Sequence, residues 1–415
     1  MFAIIDCSYI NSIRQNMELN EFERVYFVGI GGIGMSALAR YFNSLQIEVY
    51  GFDKVETVLT NTLVEEGIKV HYDEDVNQIP ENVDLVIYTP AIPKDNMELN
   101  YFLNNNYTVM KRAEVLGVIS RNKRTIGVAG THGKTTTTAI LTHILRTCGI
   151  NCTSFLGGIA QNYNSNFVHG NSDWVVMEAD EFDRSFLYLH PELAIVTSMD
   201  ADHLDIYGDK VSLHKTFEEY VLQVSDTLFY KHDLPLYSNM NMEIEYVKYG
   251  INDGDCSAFN IRSEAPYFVF DWSGPETKID NLIFSLAGTH NVMNATAAIA
   301  VAKKLGCNDN KIRESLLTFK GIKRRFELIV NNEEHIFIDD YAHHPEEIKV
   351  AISAARTMYP DKKITGVFQP HLYSRTRDFV NGFAEALDQL DELILMDIYP
   401  ARELPIEGVT SQIIF

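Results

Sequence analysis

The sequence predicts an α/β protein of three successive domains. Two observations carry that expectation. Short apolar runs of strand length alternate with helical stretches along the chain, the pattern of parallel sheets with crossover helices. The alternation also restarts three times, each time with glycine or clustered polar residues at the mouth of a strand. At about 150 residues per domain, 415 residues make room for two or three such units.

The first unit, 22–120, opens with the apolar run Val25–Ile30, and a helical pattern follows from Gly34 to Leu45; Val83–Tyr88 is a further strand. Residues 1–21 precede it as an extension without readable chemistry, and Met17 lies just ahead of the first strong strand. The second unit, 121–321, opens with Thr125–Ala129 and continues through Trp174–Met177 and Leu193–Thr197. Residues 239–286 have a β-rich look and belong with it. The third unit, 322–415, begins at the basic joint Lys323, Arg324 and Arg325 and carries His335–Ile338, Ile364–Phe368 and Leu393–Met396. A doubly wound sheet uses more strands than this, so the third unit is expected to be incomplete at its C-terminal side.

Composition excludes several function classes. The formal charge is −22, a poor match for non-specific binding to nucleic acid or an anionic membrane. Anionic substrates would require positive charge to be concentrated locally. No run approaches 18 apolar residues, and the N-terminus lacks the basic start and apolar core of a signal peptide. The five cysteines, Cys7, Cys148, Cys152, Cys256 and Cys307, form no CxxC pair. An odd number of scattered thiols fits a reduced, cytoplasmic protein.

Six clusters carry chemistry. Gly127-Val-Ala-Gly130-Thr131-His132-Gly133-Lys134-Thr135-Thr136 follows an apolar strand and precedes a helix, the setting of a phosphate loop. Glycines turn backbone N–H groups inward, the helix N-terminus adds positive potential, Lys134 neutralises phosphate charge and Thr135 reaches Mg²⁺. A strict Walker loop has glycine where this chain has Val128, so this loop is tighter. Gly29-Ile-Gly31-Gly32-Ile-Gly34-Met35-Ser36 fits GxGxxG, with Asp53 about 20 residues on, and suits a pyrophosphate. Glu178-Ala-Asp180-Glu181-Phe-Asp183-Arg184 ends one strand and Asp200, Asp202, His203 and Asp205 follow the next, oxygen-rich ground for Mg²⁺. His290, Asn291 and Asn294 open a helix and could touch a nucleotide base, although helix capping alone would explain Asn291. Asp339-Asp340-Tyr341-Ala-His343-His344-Pro345-Glu346-Glu347 holds more polar groups than a cap needs. His371-Leu-Tyr-Ser-Arg375-Thr-Arg377 offers arginines suited to carboxylate or phosphate.

In order, GIGGIGMSALA, GTHGKTTT, EADEFDRSFL, DADHLDIYGD, GTHNVMNA, DDYAHHPEE and QPHLYSRTRDF resemble the Mur ligases of bacterial cell-wall synthesis, and among them the alanine-adding branch. The resemblance implies an N-terminal Rossmann-like domain for a UDP-sugar, a central P-loop ATPase-type domain, and a C-terminal Rossmann-like domain that binds the amino acid and closes over ATP. It implies that ATP activates the carboxylate of UDP-N-acetylmuramate as an acyl phosphate, which L-alanine then attacks. By motif, Gly29, Gly31, Gly32, Gly34, Met35, Ser36 and Asp53 would bind the UDP-sugar. Gly130, Thr131, His132, Gly133, Lys134, Thr135 and Thr136, with His290, Asn291, Asn294, Arg325 and Asp340, would bind ATP. Tyr341, His343 and Arg375 would place alanine; Thr135, Glu178 and His203 would hold Mg²⁺; Lys134, His343 and Arg375 would be catalytic. The resemblance leaves monomer and homodimer both open.

Two departures stand out. Leu372 replaces an arginine frequent among relatives, which shifts the alanine carboxylate toward Arg375. Other Mur ligases carry a carbamylated lysine where this chain has Phe217, as befits the alanine-adding branch; Lys215 is out of register. A muropeptide ligase, a nicotinamide-dependent oxidoreductase built on the first glycine loop, and a non-catalytic nucleotide switch are the alternatives. The oxidoreductase leaves Lys134, Glu178 and DDYAHHP unexplained.

Overall fold

The computed structural model describes residues 19–200, 207, 209–236, 243–264, 266–275, 277–332, 334–401 and 403–415. His203, Asp202 and Asp205, expected at the metal site, lie outside the described residues.

The first region is a five-stranded parallel sheet of β1 (Arg24–Val28), β2 (Glu48–Phe52), β3 (Lys69–His71), β4 (Leu85–Tyr88) and β5 (Val109–Lys111), in the order β3-β2-β1-β4-β5. Val25 to Val28 are fully buried in its centre. Continuous burial explains the unbroken apolar run, because helices cover both faces of a parallel sheet. Gly29, with φ +85, turns the chain from β1 into the helix Ile33–Ser44, whose Ala37, Leu38, Ala39 and Phe42 pack inward.

The second region is a ten-stranded sheet. Its strands are β6 (Arg124–Ala129), β7 (Thr153–Ala160), β8 (Ser165–Val168), β9 (Trp174–Ala179), β10 (Leu193–Val196), β11 (Thr227–Lys231), β12 (Glu245–Ile251), β13 (Cys256–Glu264), β14 (Tyr267–Ser273) and β15 (Lys278–Phe284). The parallel part runs β13-β12-β11-β10-β6-β9-β7, and β14 and β15 extend the β13 edge as an antiparallel meander. Of the β-rich stretch expected over 239–286, the described residues supply β12 and, beyond it, β13, β14 and β15 at the edge of this sheet. The helices Lys134–Thr147 and Thr289–Lys304 pack on it, and their N-termini both reach the C-terminal edge of the parallel strands, where α/β sheets bind ligands.

The third region, among the described residues, has two short sheets rather than one. β16 (Glu327–Asn331) pairs antiparallel with β17 (Ile336–Asp339), and β18 (Thr365–Phe368) pairs parallel with β19 (Glu392–Leu395). The helices Pro345–Met358 and Val380–Leu387 cover one side, with Ile348, Ile352, Phe368 and Phe383 as the core.

Asn166 of β8 joins the first two regions. Its amide donates to the Ile33 carbonyl at 2.5 Å and to Ser36 Oγ at 2.9 Å, and its oxygen accepts from the Arg40 guanidinium. Ser36 and Met35 are buried, and the Ser36 N–H is taken by the Gly32 carbonyl at 2.8 Å, so neither side chain is presented to a ligand.

Candidate active site

β6 continues through Val128, which is fully buried and paired with Glu178 of β9, so the loop begins only at Gly130. This is why the motif is tighter than a Walker loop. Gly130 has φ +133 and Gly133 φ +84, conformations that favour glycine. A Cβ on Gly133 would meet Asn294 Oδ1 at 2.7 Å. The loop is braced by the end of β10: Thr131 N–H donates to the Ser198 carbonyl at 3.2 Å and His132 N–H to Ser198 Oγ at 2.7 Å.

Lys134 opens the helix and reaches back, donating to the Gly130 carbonyl at 2.8 Å and to both carboxylate oxygens of Glu181 at 3.0 and 2.7 Å. Burial opposes its charge, but Glu181 and Asp180 outweigh burial and hold its pKa above the ordinary lysine value. Glu181 is fully buried, and burial pushes its pKa up against the pull of Lys134. The cation is thus paired with a carboxylate where a phosphate would sit. Beside it, Thr135 Oγ1 donates to Glu178 Oε2 at 3.1 Å, and Gly157 N–H donates to Glu178 Oε1 at 2.5 Å. Burial raises the Glu178 pKa despite these bonds and Lys134. A hydroxyl and a carboxylate oxygen converging at a phosphate loop are hard donors that suit Mg²⁺.

A cavity of about 770 Å³ opens from this loop, within the range of nucleotide-sized sites. His132, Gly133 and Thr136 form one wall, His290, Asn291 and Asn294 a second. The third region supplies the rest, including Arg325, Asp340 and Glu347. The structure therefore gathers eight of the residues expected around ATP into one cavity. Asn291 also serves locally, donating to the Ala287 carbonyl at 2.6 Å. Asp340 accepts from the N–H groups of Phe326 and Ala342, both at 2.7 Å, and burial raises its pKa.

At the third region's mouth the Tyr341 and His343 rings lie 5.1 Å apart and His343 faces His371 at 6.4 Å. Arg375 Nη1 is 3.4 Å from His371 Nδ1. His343 Nδ1 lies 2.9 Å from the Tyr341 carbonyl, which can only accept. Nδ1 therefore carries the hydrogen, and Nε2 keeps the lone pair. Burial holds the His343 pKa below the ordinary histidine value, so the ring is neutral at pH 7. Leu372, at the departure noted above, has φ +73 just ahead of the helix Tyr373–Asp378. Phe217 is fully buried against Phe186, their rings 5.1 Å apart, so a core aromatic fills the lysine position.

The first glycine loop is built differently. Asp53 Oδ2 accepts from Gly31 N–H at 2.7 Å, closing the loop on itself. No lysine or arginine stands within Gly29–Ser36. The nearest cation comes from the end of the edge strand β5: the Arg112 guanidinium lies against Gly34, where any Cβ would collide with it, and sits 3.6 Å from Asp180. Lys111 lies beside it, 3.5 Å from Asp183, and both cations line a cavity of about 180 Å³ with Phe182 and Ser185. Sequence reading missed Arg112 and Lys111, and it saw Glu181 only as one acid among several. The RAE run after β5 carries no motif, so only the fold could bring Arg112 to Gly34.

Three family models match the chain: the Mur ligase family catalytic domain over 24–124, the Mur ligase middle domain over 128–302, and the Mur ligase glutamate ligase domain over 324–414. A UDP-N-acetylmuramate–L-alanine ligase from Flavobacterium johnsoniae is 51% identical over 403 residues, covering 95% of this chain and 88% of that protein. The chain belongs to the Mur ligase family. Among solved structures, the UDP-N-acetylmuramate–alanine ligase of Thermotoga maritima matches this Mur ligase with a TM-score of 0.80 at 31% identity, over 91% of this chain and 85% of that one. A UDP-N-acetylmuramate:L-alanyl-γ-D-glutamyl-meso-diaminopimelate ligase from Neisseria meningitides matches with a TM-score of 0.65 at 25% identity, over 73% of this chain and 100% of that one. Among the described residues no helix is long and apolar enough to cross a membrane.

Proposed function

We propose that this Mur ligase joins L-alanine to the carboxylate of UDP-N-acetylmuramate at the expense of ATP, as a cytoplasmic step of peptidoglycan precursor synthesis. The observation that carries the reading is one cavity with the phosphate loop on one wall and the third region's Asp340, His344 and Glu347 on another. The relatives named for this reaction support it at about half identity over most of the chain. The domains are read as 22–120 for the UDP-sugar, 121–321 for ATP and 322–415 for the amino acid.

A carboxylate is a poor electrophile, so the reaction needs an activated acyl group. The substrate carboxylate oxygen attacks the γ-phosphorus, ADP leaves, and an acyl phosphate results. The alanine amine then attacks the acyl carbon, and phosphate departs from the tetrahedral intermediate. Lys134 leaves Glu181 for the γ-phosphate and offsets its charge in the transition state. Thr135 and Glu178, with His203, would hold Mg²⁺, which supplies further charge neutralisation at the phosphates. Arg112 and Lys111 leave Asp180 and Asp183 to meet the anionic end of the UDP-sugar. Arg375 pairs with the alanine carboxylate, and Tyr341 borders it. His343 Nε2, neutral and unprotonated, takes the amine proton.

The test is phosphate release from purified protein with Mg-ATP, UDP-N-acetylmuramate and L-alanine. Release should require both acceptors, without change in NADH absorbance. Release with ATP alone would indicate a nucleotide switch, and release with a tripeptide in place of alanine a muropeptide ligase.

A further inference from the structure

Glu347 is the third residue of the helix Pro345–Met358 and closes a capping box with His344. A helix cap explains only one of its two carboxylate oxygens. Oε2 accepts from His343 N–H at 3.0 Å and lies 3.4 Å from His343 Nδ1. Oε1 points away from its own helix, across the cavity, to His132 Nδ1 of the phosphate loop at 3.7 Å. One side chain thus touches the expected amino-acid end of the third region and the ATP loop of the second. The contact is sheltered: the Glu347 side chain is 22% exposed and His132 29%. Burial alone would raise the Glu347 pKa, yet His132, His343 and Arg325 hold it well below the usual carboxylate range. It is therefore charged at any working pH.

We propose that Glu347 is a positioning residue that ties the third region to the phosphate loop through His132, so that His343 reaches the reacting groups only when the two regions are closed on each other. His343 is the acid–base group and Glu347 acts through it. His343 is also faced by Arg375 and Arg325, which disfavour its protonation, and by His371 at 6.4 Å; the Glu347 carboxylate favours it. Asp340 faces Glu347 from the strand end before it. Glu347 is thus the acid on which His343 protonation and the link to His132 both depend.

The proposal rests on the ligase reading for its amino-acid role, so closure is read separately with nucleotide alone. Glu347→Gln keeps a carbonyl oxygen for the His343 N–H and removes only the charge. With Mg²⁺ and a non-hydrolysable ATP analogue, small-angle scattering should show compaction of the native protein and less of the variant. In steady state, kcat/KM for L-alanine should fall roughly tenfold, mostly through KM, the scale of losing a sheltered carboxylate that faces two imidazoles. The acid limb of the kcat/KM profile should move to lower pH, because His343 loses the carboxylate that favours its protonated form. His132→Asn should lower the same ratio from the other side of the link. The double variant should be no worse than the worse single one, as expected for two halves of one contact. Effects that multiply, or a Glu347→Gln protein with native compaction and an unmoved acid limb, would overturn the proposal. If Glu347→Gln does not fold, His132→Asn alone must still lose compaction. Loss of compaction in a protein that fails to ligate alanine would leave the link standing and remove the ligase reading instead.

Discussion

The chain contains two glycine loops at the ends of two parallel strands, and as proposed phosphate sites they would meet the same electrostatic problem in opposite ways. The loop at Gly130–Thr135 carries its own cation, Lys134, and keeps it paired with the buried Glu181 at 2.7 Å. The loop at Gly29–Ser36 carries none, and its nearest charge is the Asp53 carboxylate bonded to Gly31 N–H. Its cation, Arg112, arrives from the start of a distant helix and sits against the bare face of Gly34. In a protein with a formal charge of −22, each anion site has to be given positive charge deliberately. The phosphate loop does this by sequence, and the first loop does it by fold. A site built by sequence fails when one residue changes, whereas a site built by fold fails in parts.

The largest effect is expected at Lys134. Lys134→Ala should lower ligation by roughly a thousandfold or more, since it removes the charge at the transferring phosphoryl group. Binding of UDP-N-acetylmuramate, followed by calorimetry, should persist. Equal loss of both activities would erase the distinction between the loops.

A second contrast comes from adding one methyl group to each loop. Gly130→Ala forces an L-residue into φ +133 and drives its Cβ onto the Thr197 and Ser198 backbone. Gly34→Ala meets only the end of the flexible Arg112 side chain. The first should cost of order 1–3 kcal/mol of strain and lower the melting temperature together with ATP affinity. The second should leave the melting temperature nearly unchanged and raise KM for the UDP-sugar roughly tenfold, as far as deletion of Arg112 itself would, because the methyl acts by displacing that cation. A Gly34→Ala protein with native KM for the sugar would show that Arg112 is not part of that site.

Arg112→Ala should raise the same KM roughly tenfold and weaken its dependence on salt, because a half-buried cation that still meets solvent contributes through a partly screened field. The KM for ATP should not move. A change in the ATP parameter instead would mean that Arg112 acts through Asp180, on the edge of the phosphate loop, and not on the sugar.

These residues also mark what could be read along the chain. The parallel strands were legible because burial on both faces leaves unbroken apolar runs, as in Val25–Val28. The phosphate loop was legible because its glycines, lysine and threonine are contiguous. Glu181 was visible as an acid but not as the partner of Lys134, since a pairing across two strand ends has no sequence spacing of its own. Arg112 was unreadable for the same reason, since it meets Gly34 only after a helix has been docked; Glu347 was visible at the end of DDYAHHPEE but not as the neighbour of His132. The pairing of β18 with β19 apart from β16 and β17 was also hidden, because strand periodicity gives no information on which strands meet.

The smallest effect is expected at Asp53, and it is the one that separates two roles for the first loop's carboxylate. An acid about 20 residues beyond GxGxxG commonly meets a ribose hydroxyl. Here one oxygen of Asp53 already accepts the Gly31 N–H at 2.7 Å, and the other faces Val55 N–H at 3.3 Å. Asp53→Asn keeps an acceptor oxygen for Gly31 and removes a negative charge beside the expected diphosphate. If Asp53 chiefly shapes the loop, the loss of a charge-assisted bond should be offset by reduced repulsion, and UDP-sugar affinity should change by about threefold or less. A tenfold loss, equal to that of Arg112→Ala, would instead place Asp53 in direct contact with the ligand. In that case the first loop too would recognise its nucleotide by sequence.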